Sequence, residues 1–288
     1  MVAFFFEKNI GVKFLLFLLC LACQLHPSLV HAQSNVKKKR FLDQRYFVVT
    51  LDTKAYKPQL VSFYKPLPLH KGLQNMQTNK NTHPQRKTYA INASYFDAQG
   101  KAIGLVKQQG TWLQAQATDK PRATLGWATQ GENITWYVDV LWQDANGRIA
   151  SILHTPNWWH DAENILQGAG LLLRHGQATD TRQERLAQDF VNKPYARSVF
   201  CLQKDGKAKL LLIKGTTRVL RLLGLFKRSG LNLHALTQLA KHEKCYHAIN
   251  LDGGYSSQLL ANKQITQGTA ISALPYRKVT NALVFTSK

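Results

Sequence analysis

Turn residues cut this chain at short intervals, and the brief apolar or alternating runs between the cuts suit strands far better than helices. Arg197–Leu202 and Ala208–Ile213 flank Lys204-Asp205-Gly206 and read as a hairpin. Residues 45–51 and 88–92 are short strands rich in β-branched and aromatic side chains. Residues 102–150 form a succession of strands with turns at Gly110, Gly126, Gly131 and Asn146-Gly147, and within them 134–142 alternates as a half-buried strand should. Residues 171–174 end in the turn His175-Gly176, 246–251 end in Asp252-Gly253-Gly254, and 279–285 make the last strand. Helical spacing is clear in one place: Leu233, Leu236, Leu239 and Ala240 share a face, with Asn232 as the N-cap. Residues 65–87, with Pro66, Pro68, Gly72 and Pro84, read as a long surface loop. The expected class is α+β, with strand-rich mixed sheets and few helices. At 288 residues and 44% hydrophobic, the chain can bury a full core.

The amino terminus speaks about compartment. Lys8 and Lys13 precede the apolar run 14–23, and Val30-His31-Ala32 supplies a small-residue cleavage site. That order describes a secretory signal peptide over residues 1–32, so the expected location is periplasmic or secreted. The run is short of the roughly 20 residues a membrane span needs. An uncleaved anchor or lipid attachment at Cys23 are the alternatives. The formal charge is +22, and it is +21 once residues 1–32 leave. A field of that sign attracts polyanions. Export turns the expectation away from nucleic acid and toward anionic cell-envelope polymers or a phosphorylated sugar. The run Lys37-Lys38-Lys39-Arg40 reads as a solvated tail within a segment 33–87 of basic tail, first strand and loop. Beyond the leader only Cys201 and Cys245 remain, which fits one disulfide or two buried thiols.

Residues 250–257, Asn-Leu-Asp-Gly-Gly-Tyr-Ser-Ser, are the unusual segment. An apolar strand delivers Asn250 and Asp252 to its end, and Gly253 and Gly254 let the main chain approach a ligand closely. Ser256 and Ser257 add hydroxyls beside a carboxylate. By physics alone the segment is equally an ordinary Asp-Gly turn.

The segment 250–257 resembles the carboxyl-terminal signature of the phosphodiester glycosidase family, to which the uncovering enzyme belongs. That enzyme removes N-acetylglucosamine from a phosphodiester-linked mannose. Further segments follow in the family's order: 90–96, Ala-Ile-Asn-Ala-Ser-Tyr-Phe; 170–176, Gly-Leu-Leu-Leu-Arg-His-Gly; 195–198, Tyr-Ala-Arg-Ser; and 276–283, Tyr-Arg-Lys-Val-Thr-Asn-Ala-Leu. The likeness covers roughly residues 88–286 and implies a catalytic domain over 88–288, with the strand near 45–51 as part of it. Ala93-Ser94 stands where two glycines are usual, Tyr255 where a third glycine is common, and Leu171 where proline is frequent.

The resemblance implies a hydrolase acting on a sugar-phosphate diester or a related glycosidic bond. Asp252 is then the catalytic acid/base or nucleophile, and Arg197 and Arg277 bind the anionic phosphate through paired hydrogen bonds. Asn92, Asn250, Gly253, Gly254, Ser256 and Ser257 line the substrate site. Glycoside cleavage usually wants a second carboxylate, for which Asp97 is the weak choice. No cofactor is expected. A cation such as Ca²⁺ at Asp252 has one acidic ligand behind it, and His154, His160 and His175 show no metal-binding spacing. Two other readings stay open. One is an envelope protein that binds anionic glycan or lipid without turnover, and the other is a glycosidase of unphosphorylated glycan.

Overall fold

A computed structural model describes residues 36–78, 86–152, 157–215, 229–262, 264–267 and 277–288. All of them lie in one compact unit, Asn35–Lys288. The leader expected over residues 1–32, His154 and Tyr276 fall outside the described residues.

Three antiparallel sheets share one core. The first contains β1 (Val36–Phe41), β2 (Gln44–Leu51), β11 (Leu171–Arg174), β12 (Gln177–Ala178), β13 (Arg197–Leu202), β14 (Ala208–Ile213) and β15 (His247–Asn250), in the order β1-β2-β14-β13-β15-β11-β12. The second contains β5 (Val106–Gln108), β6 (Thr111–Gln114), β7 (Arg122–Gln130), β8 (Asn133–Gln143), β9 (Ile149–Ser151) and β10 (Asn164–Gln167), in the order β6-β5-β10-β7-β8-β9. The third contains β3 (Tyr56–Leu67), β4 (Thr88–Asn92), β16 (Gln258–Ala261), β17 (Gln264–Gln267) and β18 (Val279–Ser287), in the order β17-β16-β4-β18-β3. Every strand pairing among the described residues is antiparallel.

The period of two along a strand explains why the central strands look apolar throughout. In β13, Val199 and Cys201 point into one cluster while Phe200 and Leu202 point into another. In β14, Leu210 and Leu212 face one cluster and Leu211 and Ile213 the other. A sheet covered on both faces keeps no polar side, so its strands read as unbroken hydrophobic runs. The shared cluster gathers Phe200 and Ile249 from the first sheet, Leu125 and Trp127 from the second, and Ile91 and Phe285 from the third. Each sheet's other face carries its own cover. Helix α4 (Leu233–His242) lays Leu233, Leu236 and Leu239 on the first sheet, and α1 (Leu69–Thr78) lays Leu69 and Leu73 on the third. The short α2 (Trp158–Asp161) lays Trp158 and Trp159 on the second.

The structure corrects two readings of the amino-terminal third. Residues 65–87 are not a continuous loop: β3 runs to Leu67 and α1 follows. Pro68 precedes the first helical turn, where its missing N–H costs nothing, and Leu69 and Leu73, four apart, turn one face inward. The run 37–40 is not a free tail but lies in β1, paired with β2 along its whole length. Lys37, Lys38 and Arg40 remain exposed on this edge strand, where charge deters unwanted strand pairing. Lys39 instead meets the buried Glu243 carboxylate at 2.6 Å. The strands at 44–51, 88–92, 197–202 and 208–213 and the helix at 233–242 fall where the residues place them, and Asn232 caps α4 by accepting from the Ala235 amide at 2.8 Å.

Candidate active site

The site forms where three strand ends meet. β15 ends at Asn250, and the chain then threads between the start of β13 and the end of β4. The Leu251 amide donates to Ser198 O at 2.8 Å, Asp252 to Ala93 O at 2.9 Å and Gly254 to Ala196 O at 2.8 Å. Both glycines are required here. A Cβ on Gly253 would stand 2.9 Å from Ala196 O, while Gly254 takes a left-handed φ of 59°.

Asp252 is 8% exposed at the end of this thread. Burial drives its carboxyl up to about 6, against the opposing pull of hydrogen bonds from the Ser256 side chain and the Gly253 amide and of the Arg277 charge. Arg277 lies at the exposed side, its guanidinium 5.9 Å from both the Phe96 and the Tyr255 rings. Tyr255, the residue in place of a family glycine, thus forms one side of an aromatic bracket around a cation.

Arg197 lies on the inner side and is 1% exposed. It donates from Nε to Leu231 O at 3.1 Å and from Nη2 to Phe190 O at 2.7 Å, with Phe190 in the short helix α3 (Gln188–Asn192). The Phe190 ring lies 4.5 Å from its guanidinium. Among the described residues no carboxylate is within ion-pair reach of it. Its guanidinium is held instead by two backbone carbonyls and an aromatic face.

The asparagines divide the work differently from a simple substrate-facing pair. Asn92 donates from Nδ2 to Asp252 O at 2.7 Å, while its Oδ1 accepts from Ser198 Oγ at 2.7 Å and from the Gln258 amide at 2.9 Å. Its carbonyl is fully used within the protein, so Asn92 holds the Asp252 backbone. Asn250 donates to Ala169 O at 2.7 Å and to Tyr95 Oη at 3.2 Å, and its Oδ1 is buried with no partner among the described residues. Ser257 Oγ is buried and unpartnered as well. Buried acceptors and hydroxyls are normally satisfied, so these two atoms hold hydrogen-bonding capacity that the fold does not use.

Two residues emerge that the sequence did not single out. The Tyr95 hydroxyl donates to Leu251 O at 3.0 Å, and burial, then the Asp252 charge, raise its pKa so that it stays a protonated donor. The Arg197 charge pulls the other way on Tyr95, and the Tyr95 ring meets the Phe190 ring at 6.4 Å between centroids. Glu184 is 1% exposed and accepts three backbone amides, from Ala123 at 2.9 Å, Gly170 at 2.8 Å and Leu171 at 2.6 Å. It fixes the loop whose Ala169 carbonyl orients Asn250. Tyr95 stood within a quoted motif and could have been found; an isolated Glu184 carries no local signal. Asp97 accepts from the Lys101 amide at 2.8 Å and closes its own turn. Among the described residues no cluster of three His, Cys, Asp or Glu side chains could hold a metal ion.

Comparison with known proteins identifies the family and the fold. The sequence pattern of the phosphodiester glycosidase family matches residues 85–286. The chain belongs to the phosphodiester glycosidase family. Its fold is similar to that of a hypothetical protein from Synechocystis, with a TM-score of 0.65 and 14% identity over 88% of this chain; the match spans 61% of that protein's length. It is also similar to the zebrafish N-acetylglucosamine-1-phosphodiester alpha-N-acetylglucosaminidase catalytic domain auto-inhibited by pro-peptide, with a TM-score of 0.58 and 17% identity over 87% of this chain and 82% of that one. No sequence among the curated proteins matches the chain.

Proposed function

We propose that this phosphodiester glycosidase family member is an exported hydrolase that cleaves the bond between a sugar's anomeric carbon and a phosphodiester oxygen, with Asp252 as its general base. The observation that carries the reading is Asp252 itself, a buried carboxyl tuned to about 6 beside an aromatic-bracketed arginine. A phosphate group leaves as a stable anion and needs little protonation. The attacking water must lose its proton, and a base ionised just below neutral pH serves that end. In the proposed step Asp252 takes the proton as water oxygen bonds to the anomeric carbon. The carbon–oxygen bond to phosphate breaks, and its electron pair leaves on the phosphate oxygen. Arg277 balances the phosphate charge from the exposed side and Arg197 raises the local potential from within. Export rests on the leader at 1–32, and among the described residues no helix is long and apolar enough to cross a membrane.

The test is hydrolysis of a hexose phosphodiester by the wild type and Asp252→Asn. The expected outcome is at least a thousandfold loss in the variant with an unchanged circular dichroism spectrum. Wild-type kcat/KM should rise with pH through about 6 and then level off. A profile that falls above 6 would reverse the role to general acid. Binding without turnover in the wild type would favour an envelope protein that holds anionic glycan.

A further inference from the structure

The hydrogen-bond path that fixes Asp252 leads out of the site. Asp252 donates its amide to Ala93 O, the Ala93 amide donates to Asn281 O at 3.3 Å, and the Ser94 amide donates to Asn281 Oδ1 at 2.8 Å. Asn281 also lines an open groove of about 680 Å³, within the roughly 300–1,000 Å³ range of small-molecule sites. β3 supplies Tyr64 to the groove, β5 and β6 supply Gln108 and Gln114, and the 97–101 turn supplies Lys101. That turn runs back to the site: the Ile103 amide donates to Tyr95 O at 2.8 Å, Phe96 bridges Ala102, and the Phe96 ring brackets Arg277.

The chemistry of the lining is selective. It joins amides and hydroxyls to the aromatic residues Phe63 and Tyr64 and the apolar Val106 and Leu113, with one cation and no acid. Tyr64 is fully exposed at 106%, so its ring contributes no burial to the fold. Among the described residues the Ser62 and Thr280 hydroxyls, buried behind the groove surface, have no partner. The walls are firm. The Ser62 amide donates to Gln108 Oε1 at 3.1 Å, and Gly100 packs so tightly that a Cβ there would lie 2.2 Å from Pro66 Cγ. An exposed aromatic face beside amides and hydroxyls matches the two sides of a sugar ring, its apolar C–H face and its hydroxyl rim. A polyanion would call for more cations than Lys101.

We propose that this groove binds uncharged sugar units of an oligosaccharide or polysaccharide whose phosphodiester-linked end occupies the Asp252 site. The second half of that statement rests on the function proposed above; the first half does not. The substrate is then a glycan chain rather than a lone sugar phosphodiester.

The test titrates the full chain with a panel of uncharged hexasaccharides, one each of glucose, mannose and N-acetylglucosamine, by calorimetry. Turnover of a single-hexose phosphodiester, the short substrate, is followed in parallel. At least one hexasaccharide should bind the wild type and Asp252→Asn alike. Tyr64→Ala should weaken that binding roughly two- to tenfold, and Tyr64→Phe should restore it. Cleavage of the short substrate by Tyr64→Ala should stay within about twofold of wild type. Failure of every hexasaccharide to bind, or undiminished binding by Tyr64→Ala, overturns the groove assignment. Tyr64-dependent binding by a protein that never cleaves the short substrate would sustain the groove and reject the catalytic reading.

Discussion

Asp252 is costly where it stands. Its carboxyl ionises near 3.8 in an unfolded chain and near 6 in the folded one. A raised acid stabilises the fold below pH 3.8, and that contribution disappears as pH rises through 6. Above that, holding the buried charge costs about 3 kcal/mol by the free energy of a two-unit shift. Asp252→Asn should therefore be more stable than wild type at pH 7.5, by about 1–3 kcal/mol, while losing turnover. Urea midpoints at pH 7.5 and pH 3.5 decide it: a gain that persists undiminished at pH 3.5 would point to some other cause. Gly253 gives a second expectation at this scale. Gly253→Ala drives a methyl against the Ala196 carbonyl at 2.9 Å, and neither backbone can yield without moving the thread that carries Asp252. Loss of about 1–3 kcal/mol is expected in thermal unfolding, with kcat falling more than KM rises. The acid and its glycines were legible as a local string. Arg197 was legible as a cation, but its carbonyl partners Phe190 and Leu231 were not, since they are 7 and 34 residues away in the chain.

At the scale of elements, the connection from α4 to β15 is tied to the strand that carries Arg197. Cys201 on β13 and Cys245 just after α4 form a disulfide, with a sequence separation of 44 and a Cα–Cα distance of 5.4 Å. β13 also pairs with β15, Cys201 opposite Ala248, so the bond reinforces a register already set by the sheet. Closing a loop of that length stabilises by about 3–4 kcal/mol in the chain-entropy account. Cys201→Ser/Cys245→Ser should unfold at a lower urea concentration by a corresponding margin while keeping the wild-type fold. A double variant as stable as wild type would show that the sheet pairing alone holds the connection. Two cysteines beyond the expected leader fitted either one disulfide or two buried thiols, and only the adjacency of β13 and β15 brings them into bonding range. The helix α1 shows the converse. Pro66, Pro68 and Gly72 argued for loop, yet the third sheet offers an apolar face that Leu69 and Leu73 cover, and tertiary burial outweighs weak local propensity.

Over the whole molecule, a chain carrying +22 gathers some of its few acids inward. Glu243 is the clearest case. Burial alone would raise its carboxyl, but hydrogen bonds from Lys39, Tyr46 and Lys209 bring it down to about 2. These partners come from β1, β2 and β14, so one carboxylate fastens three strands to the end of α4. A depressed acid supplies stability above its unfolded value of 4.5, and that stability is lost as pH falls toward 2. His247, half-buried beside His175 and Arg174, is lowered from 6.5 to about 4 and stays neutral when an unfolded chain would charge. Its contribution fades between those values as pH falls. Asp252 acts with the opposite sign between 6 and 3.8. In the Asp252→Asn background the urea midpoint should thus drop in two stages on acidification, near pH 6 to 4 and again below 4.5. Glu243→Gln should lower the midpoint at pH 7 and erase the second stage. Survival of that stage in Glu243→Gln would assign it to other groups.

The amino acids in order were enough to announce a strand-rich fold, the β13–β14 hairpin, the α4 helix and the string around Asp252, because each is encoded by residues within a few positions of one another. The separation of alternate side chains into two cores, the bracketing of Arg277 by Phe96 and Tyr255, the hold of the Phe190 and Leu231 carbonyls on Arg197 and the groove at Tyr64 join segments far apart in the chain. Burial and electrostatic potential are properties of that assembly. The same Asp252 ionises near 3.8 in the open chain and near 6 once three sheets close around it.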